Sequence, residues 1–216
     1  MDKTKRTIET YNLHVCSYEN KFMDFSNYIK KVKAFCSQLE PGARVLDVGC
    51  GPGNVEKLLI ESGKEFKILG IDLADEMIKH ARTNIVSPGV EFIVGDIRNI
   101  GLEAGTYDAV IASFCLPHLT DKEAEKLIQD ISRVLCDGGL LYLSCMEGNK
   151  SGFESTSFSF GDYIYFNYYS EEFIQRMLRK NGLEITELKR EIYLESDGSK
   201  TTDMFFFAQK QFRLGD

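Results

Sequence analysis

The chain of 216 residues lacks an excess of positive charge: 26 Lys and Arg against 33 Asp and Glu leave a formal net charge of −7. A surface built to neutralise a nucleic-acid backbone needs the opposite balance, so nucleic acid is disfavoured as a partner. The six cysteines, at 16, 36, 50, 115, 136 and 145, include no C-x-x-C pair and no zinc-ligand spacing. Reduced thiols and no metal are therefore expected, and a chain of this size does not depend on disulfides. No run approaches the roughly 20 apolar residues of a membrane span. The first ten residues, MDKTKRTIET, also lack the apolar core of a signal peptide, so a soluble cytoplasmic protein is expected. Internal repeats and low-complexity tracts are absent as well. What remains is ordinary globular composition, 43% hydrophobic and 27% charged, in a length that suits one domain with a substantial core.

Periodicity organises that domain. In KFMDFSNYIKKVKAFCSQL, the residues Phe22, Phe25, Ile29, Val32, Phe35 and Leu39 recur at spacings of three and four, which predicts one helical face ending at Pro41-Gly42. Short apolar runs then alternate with helical patterns: RVLDVG, FKILGID, VEFIVGD, YDAVIAS and GGLLYLSC read as strands, and NVEKLLIES, DEMIKHARTN and DKEAEKLIQDISRVL as helices. Such alternation marks βαβ units and a parallel sheet covered on both faces. Residues 146–169 break the pattern with eight aromatic side chains and no long helical period, which suits an insertion with some extended structure. A closing helix, SEEFIQRMLRKNG, precedes two extended segments joined through Asp197-Gly198, a hairpin signal that makes those strands antiparallel. The expected divisions are an N-terminal helical lid over 1–40, a core over 41–145, the insertion over 146–169 and the closing elements over 170–216.

The stretch VLDVGCGPGN places Gly49, Gly51 and Gly53 directly behind Asp47, at the carboxyl end of the first strand. Ligands of open parallel sheets sit at that end, and glycine lets a ligand approach the backbone without a Cβ in the way. Asp72 ends the second strand and Asp96 the third, so three acids face one crevice. A carboxylate at the second strand can accept both hydroxyls of a ribose, and one at the third an exocyclic amine, with Leu73, Met77 and Ile97 flanking a purine. The plainer alternative is that Asp72 and Asp96 cap the helices behind them. Asp47 ahead of the glycines disfavours a pyrophosphate and favours a cationic tail.

VLDVGCGPGN, GIDLADEMIKHAR, EFIVGDI, YDAVIASFCLPHL and ISRVLCDGGLLYLS, in this order, resemble the successive motifs of the Rossmann-like (class I) S-adenosylmethionine-dependent methyltransferases, in their small-molecule and quinone-type branch. The resemblance covers about residues 40–145. It implies an α/β fold with a doubly wound, mostly parallel seven-stranded sheet, an antiparallel last strand, helices on both faces and an N-terminal helical lid. The implied cofactor is S-adenosylmethionine, with Asp47, Gly49, Cys50, Gly51 and Gly53 around its methionine part, Asp72 at the ribose, Asp96 and Ile97 at the adenine, and Ser113 near the sulfonium. The implied reaction is methyl transfer to a small-molecule acceptor.

In SFCLPHLT, His118 is the candidate base, with local packing as the alternative. Tyr11, Tyr18 and Phe22 on the lid and Tyr163, Tyr165, Phe166, Tyr168 and Tyr169 in the insertion are candidate walls for the acceptor, or else hairpin residues packed on the sheet. His14 and His80 receive no chemical role, and Cys50 and Cys115 read as small core residues. The chain has no Asn/Asp-Pro-Pro-aromatic signature behind the fourth strand, which further disfavours a flipped base as substrate. A non-catalytic binder of the same cofactor and a nicotinamide-dependent oxidoreductase are the competing functional classes.

Overall fold

The computed structural model describes residues 2–24, 26–194, 198 and 200–212, with the side chains of 26 and 27 outside that description. Helices α1 (Lys3–Leu13), α2 (Val15–Phe22) and α3 (Ser26–Ser37) precede β1 (Arg44–Val48), α4 (Asn54–Glu61), β2 (Lys67–Asp72), α5 (Asp75–Asn84), β3 (Val90–Val94) and β4 (Tyr107–Ser113). Then follow α6 (Asp121–Val134), β5 (Leu135–Met146), β6 (Ser151–Ser155), β7 (Tyr163–Asn167), α7 (Glu171–Lys180), β8 (Leu183–Leu194) and β9 (Lys200–Lys210). Seven strands form one sheet in the order β3-β2-β1-β4-β5-β9-β8. The first five are parallel, and β9 runs antiparallel to both β5 and β8. This is the doubly wound α/β sheet with an antiparallel last strand that the sequence predicts.

Alternation along the strands builds two cores. Val45, Ala109, Ile111, Tyr142, Phe205 and Phe207 pack against α3 and α4 through Val32, Phe35, Leu39, Val55 and Leu59. Their neighbours Leu46, Val110, Ala112, Leu141, Leu143 and Phe206 pack against α6 and α7 through Leu127, Ile128, Ile131, Ile174 and Leu178. The central strands β1, β4, β5 and β9 are thus apolar on both faces, as a sheet covered by helices on both sides requires. At β1 the strand order reverses, with β2 on one side and β4 on the other, and a crevice opens beyond the carboxyl ends of these three strands.

The run from Lys21 to Leu39 is not one helix. It divides into α2 and α3 at residues 23–24, because its apolar residues serve different partners: Phe22 joins Tyr18 and Phe158 on the lid, while Val32, Phe35 and Leu39 bury against the sheet. One straight helix cannot deliver both sets. Phe25 lies outside the described residues, as does Asp197 of the predicted hairpin turn, although the strands on either side pair antiparallel. The aromatic segment forms a separate two-stranded antiparallel hairpin, β6-β7. Helix α1 lies on it: the Tyr165 amide donates to Thr7 Oγ1 at 3.1 Å, and Thr10 Oγ1 donates to the Tyr163 carbonyl at 3.2 Å.

Helix α6 begins at a reciprocal capping box. The Glu123 amide donates to Thr120 Oγ1, and the Glu123 carboxylate accepts from the Thr120 amide at 2.8 Å. Replacing Thr120 with Ala removes the cap and should lower unfolding free energy by about 1 kcal/mol, measured by urea denaturation. An unchanged midpoint would mean that the cap contributes nothing to this helix.

Candidate functional site

Two chambers meet in the crevice. The inner one, about 120 Å³, is lined by Gly49, Gly51, Asp72, Leu73, Met77, Asp96, Ile97 and Ser113, together with Ile8, Tyr11, Tyr18, Arg98, Phe114 and His118. The outer one, about 840 Å³, takes in Cys50, Phe22, Phe158, Phe166, Tyr168, Tyr28 and Asp203. Tyr11, Tyr18, Gly49, Ser113, Phe114 and His118 line both and form the passage between them.

The glycine turn is held from below. The amides of Gly49 and Cys50 donate to the Ile71 carbonyl at 2.7 and 3.1 Å, and the Gly51 amide donates to Asp72 Oδ2 at 2.9 Å. Asp72 also accepts from the Ala74 amide at 2.8 Å, so it serves the start of α5 and faces the inner chamber at the same time. Burial raises its pKa above the ordinary carboxylate range. Gly49, at φ +77°, admits the loop behind β4: a Cβ there would stand 2.5 Å from Cys115 Cβ. Phe114 in that loop takes φ +55°, a left-handed conformation costly for a residue with a side chain.

Several predicted residues lie elsewhere. Asp47 does not line either chamber; it is fully buried beneath the turn, its carboxyl group facing that of Glu56 on α4. Neither carboxyl group has another hydrogen-bond partner among the described residues. Gly53 also turns away, toward Ile85 and Ala81 of α5, where a Cβ would meet Ile85 at 2.8 Å. Asp96 reaches the wall of the inner chamber, but both of its oxygens are engaged by Arg98, at 2.6 to 3.1 Å, which holds its pKa below the ordinary range. Those contacts occupy the lone pairs that an exocyclic amine would need, so the capping alternative describes its carboxylate better. The Tyr165 ring lines neither chamber and packs under Lys3 and beside Phe153.

His118 sits in the passage with both ring nitrogens engaged. Its Nδ1 lies 3.0 Å from the Tyr165 carbonyl, which can only accept, so Nδ1 carries the proton. Nε2 is then an acceptor and receives the Tyr11 hydroxyl at 2.9 Å. Burial lowers its pKa to about 4, so the imidazole is neutral near pH 7. Phe158, absent from the sequence-derived site, stacks on Tyr11 at 5.5 Å and meets Tyr18 edge-on at 5.2 Å. Only its place among many aromatics marked it. Glu56, Arg98 and Phe114 carried no motif signal at all.

A glycine turn and an acid at the second strand thus converge at the topological switch point of an α/β sheet. Residues 45–139 match the family described as "Methyltransferase domain". The chain is 36% identical over 121 residues, 54% of its length and 49% of the relative's, to ubiquinone biosynthesis O-methyltransferase of Xanthomonas axonopodis pv. citri. It spans about half the length of the curated relatives it matches. Its fold is shared by an S-adenosylmethionine-dependent methyltransferase of Methanosarcina mazei (TM-score 0.71, 21% identity, 83% of this chain and 98% of that one). It is shared also by phosphoethanolamine N-methyltransferase 2 of Haemonchus contortus, solved with S-adenosyl-L-methionine (TM-score 0.76, 17% identity, 98% and 60%). The matched span runs from β1 into β5 and takes in the glycine turn, Asp72, Asp96 and Ser113. Among the described residues, no helix is long and apolar enough to cross a membrane.

The Asp47–Glu56 pair has a measurable consequence. Burial, the first cause for each, raises both pKa values above those of the unfolded chain, and Asp47 raises that of Glu56 further. The folded state therefore binds more protons than the unfolded one from about pH 4 upward, and stability falls as pH rises toward 8. Glu56→Gln keeps the shape and removes one acid. Its unfolding free energy should fall less than that of the wild type between pH 5 and 8.5, by on the order of 2 kcal/mol in denaturant titrations. Identical pH profiles for the two proteins would refute the shared burden.

Proposed function

We propose that the protein transfers a methyl group from S-adenosylmethionine to the hydroxyl of a small molecule held in the outer chamber. The carrying observation is that Asp72, the glycine turn and Ser113 border one chamber whose wall is shared with a larger aromatic one. The residues fit the donor. Asp72 faces the chamber while the amides of Gly51 and Ala74 hold its carboxylate in place, so it would accept from the ribose hydroxyls. Leu73, Met77, Ile97 and Ile8 would flank the adenine, Asp96 bordering it through its Arg98-locked turn, while Gly49 and Gly51 leave room for the methionine part beside Ser113. Cys50 and Gly53 would shape that turn, beneath which Asp47 and Glu56 are buried.

Bound there, S-adenosylmethionine supplies a methyl group on a leaving group that needs no activation. The chain's task is alignment, exclusion of water and removal of one proton. Tyr11, Tyr18 and Phe158 would close the passage, and Phe22, Phe166 and Tyr168 would line the acceptor's path. His118 would receive the acceptor's proton at Nε2 through the Tyr11 hydroxyl, which passes on its own proton as it gains the acceptor's. A hydroxyl oxygen that has gained a carbon is a strong acid, so a neutral imidazole of pKa about 4 suffices. An ammonium is too weak an acid to be served by such a base, and this favours oxygen over nitrogen.

Calorimetric titration separates the cofactor classes: S-adenosylhomocysteine should bind and NAD should not. Asp72→Ala should weaken the former by about 10- to 100-fold, the loss of charged hydrogen bonds to a ribose. Full affinity in Asp72→Ala would overturn the assignment of the inner chamber. A coupled homocysteine assay over hydroxyl and amine acceptors should then find turnover on a hydroxyl. Binding without turnover on either class would favour a non-catalytic cofactor-binding protein instead.

A further inference from the structure

On the outer side of the lid, away from both chambers, a thiol, an imidazole and a carboxylate converge from two helices. Cys16 and Glu19 stand three residues apart on one face of α2, and His80 faces them from α5, with all three donor atoms within 4.8 Å of one another. His80 Nδ1 and Glu19 Oε2 are 2.9 Å apart. Asn84, one turn beyond His80, donates to the other oxygen of Glu19 at 2.5 Å and to the Pro52 carbonyl of the glycine turn at 3.0 Å. The carboxylate is thus oriented by a neighbour, as metal-ligating carboxylates are.

We propose that Cys16, Glu19 and His80 form a site for a divalent transition-metal ion of the Zn²⁺ class, which pins the lid helix α2 to the core helix α5. The donor set decides the class. Thiolate and imidazole select borderline ions over Mg²⁺ and Ca²⁺, which prefer all-oxygen sites, and three protein ligands leave one position for water. Cys16 is exposed and gives the ion a path from solvent, while Glu19 and His80 are half-buried and restrict it. Ligand bonds of about 2.0 to 2.3 Å require the side chains to draw together from their present spacing, which rotamer changes of Cys16 and Glu19 supply. Binding releases the thiol proton of Cys16 to solvent and leaves the ring proton of His80 on Nε2, so affinity falls as pH falls. Tyr18, between the two ligands of α2 in sequence, lines the passage between the chambers, so the ion would steady a wall of the candidate site. The ligands were not visible as a spacing pattern because 61 residues separate Glu19 from His80.

The test is titration of Co²⁺ alone into the full, reduced chain. A thiolate-to-cobalt charge-transfer band should saturate at about one ion per chain, vanish on addition of Zn²⁺, and be absent in Cys16→Ser. His80→Ala should weaken Co²⁺ binding by about tenfold or more. In parallel, Zn²⁺ should raise the thermal midpoint of the wild type and not that of Cys16→Ser, whose fold is checked by circular dichroism. No band in the wild type overturns the site. So does a band retained in Cys16→Ser, which would place the thiolate at another cysteine, or an equal Zn²⁺ effect on both midpoints.

Discussion

The close approach of two loops, one behind β1 and one behind β4, sets the geometry on which both chambers depend. Gly49 has no side chain, and Cys115 occupies the space that a Cβ would fill. Because these strands are neighbours at the reversal of strand order, the contact closes the floor of the crevice. It also places Ser113 and Phe114 beside the glycine turn and starts the short helical turn that carries His118. Phe114 bears a strained backbone in consequence, held by the Ser144 hydroxyl and carbonyl on β5, which both accept from its amide.

Above that floor, α1 and α2 are attached by polar contacts more than by a deep apolar core. Lys3 pairs with Glu123 at 2.7 Å, Glu123 with Arg98 at 3.2 Å, and Arg98 with Asp96, a chain of charges running from α1 to the wall of the inner chamber. Tyr11 meets His118, Asn12 meets Asp75, and His14 meets Asp162. Such part-exposed pairs are individually weak. The buried apolar share of α1 and α2 is small, Val15 against Ala74 and Met77, with Ile8, Tyr11 and Tyr18 packed around it.

The sheet and its flanking helices were legible in the sequence because each is specified by local period: short apolar runs for β1 to β5 and a 3.6-residue stripe for α6. The antiparallel pairing of β8 and β9 followed from turn chemistry between two extended runs. The division of residues 21–39 into two helices was not legible, since apolar spacing shows which residues seek burial and not whether they seek it in one place.

At the site, sequence alone determined the parts that backbone position dictates: the glycine turn and the acids at the strand ends, which the parallel sheet carries to one rim whatever their side chains do. Only the tertiary structure decided what those side chains face. Asp47 went inward to Glu56, Asp96 was taken by Arg98, Tyr165 turned to Lys3, and Phe158 came to stack on Tyr11. The physical reason is that a strand fixes where each Cα lies, whereas charge pairing and ring packing join residues far apart in the chain, 147 positions for Tyr11 and Phe158, and leave no mark in local sequence.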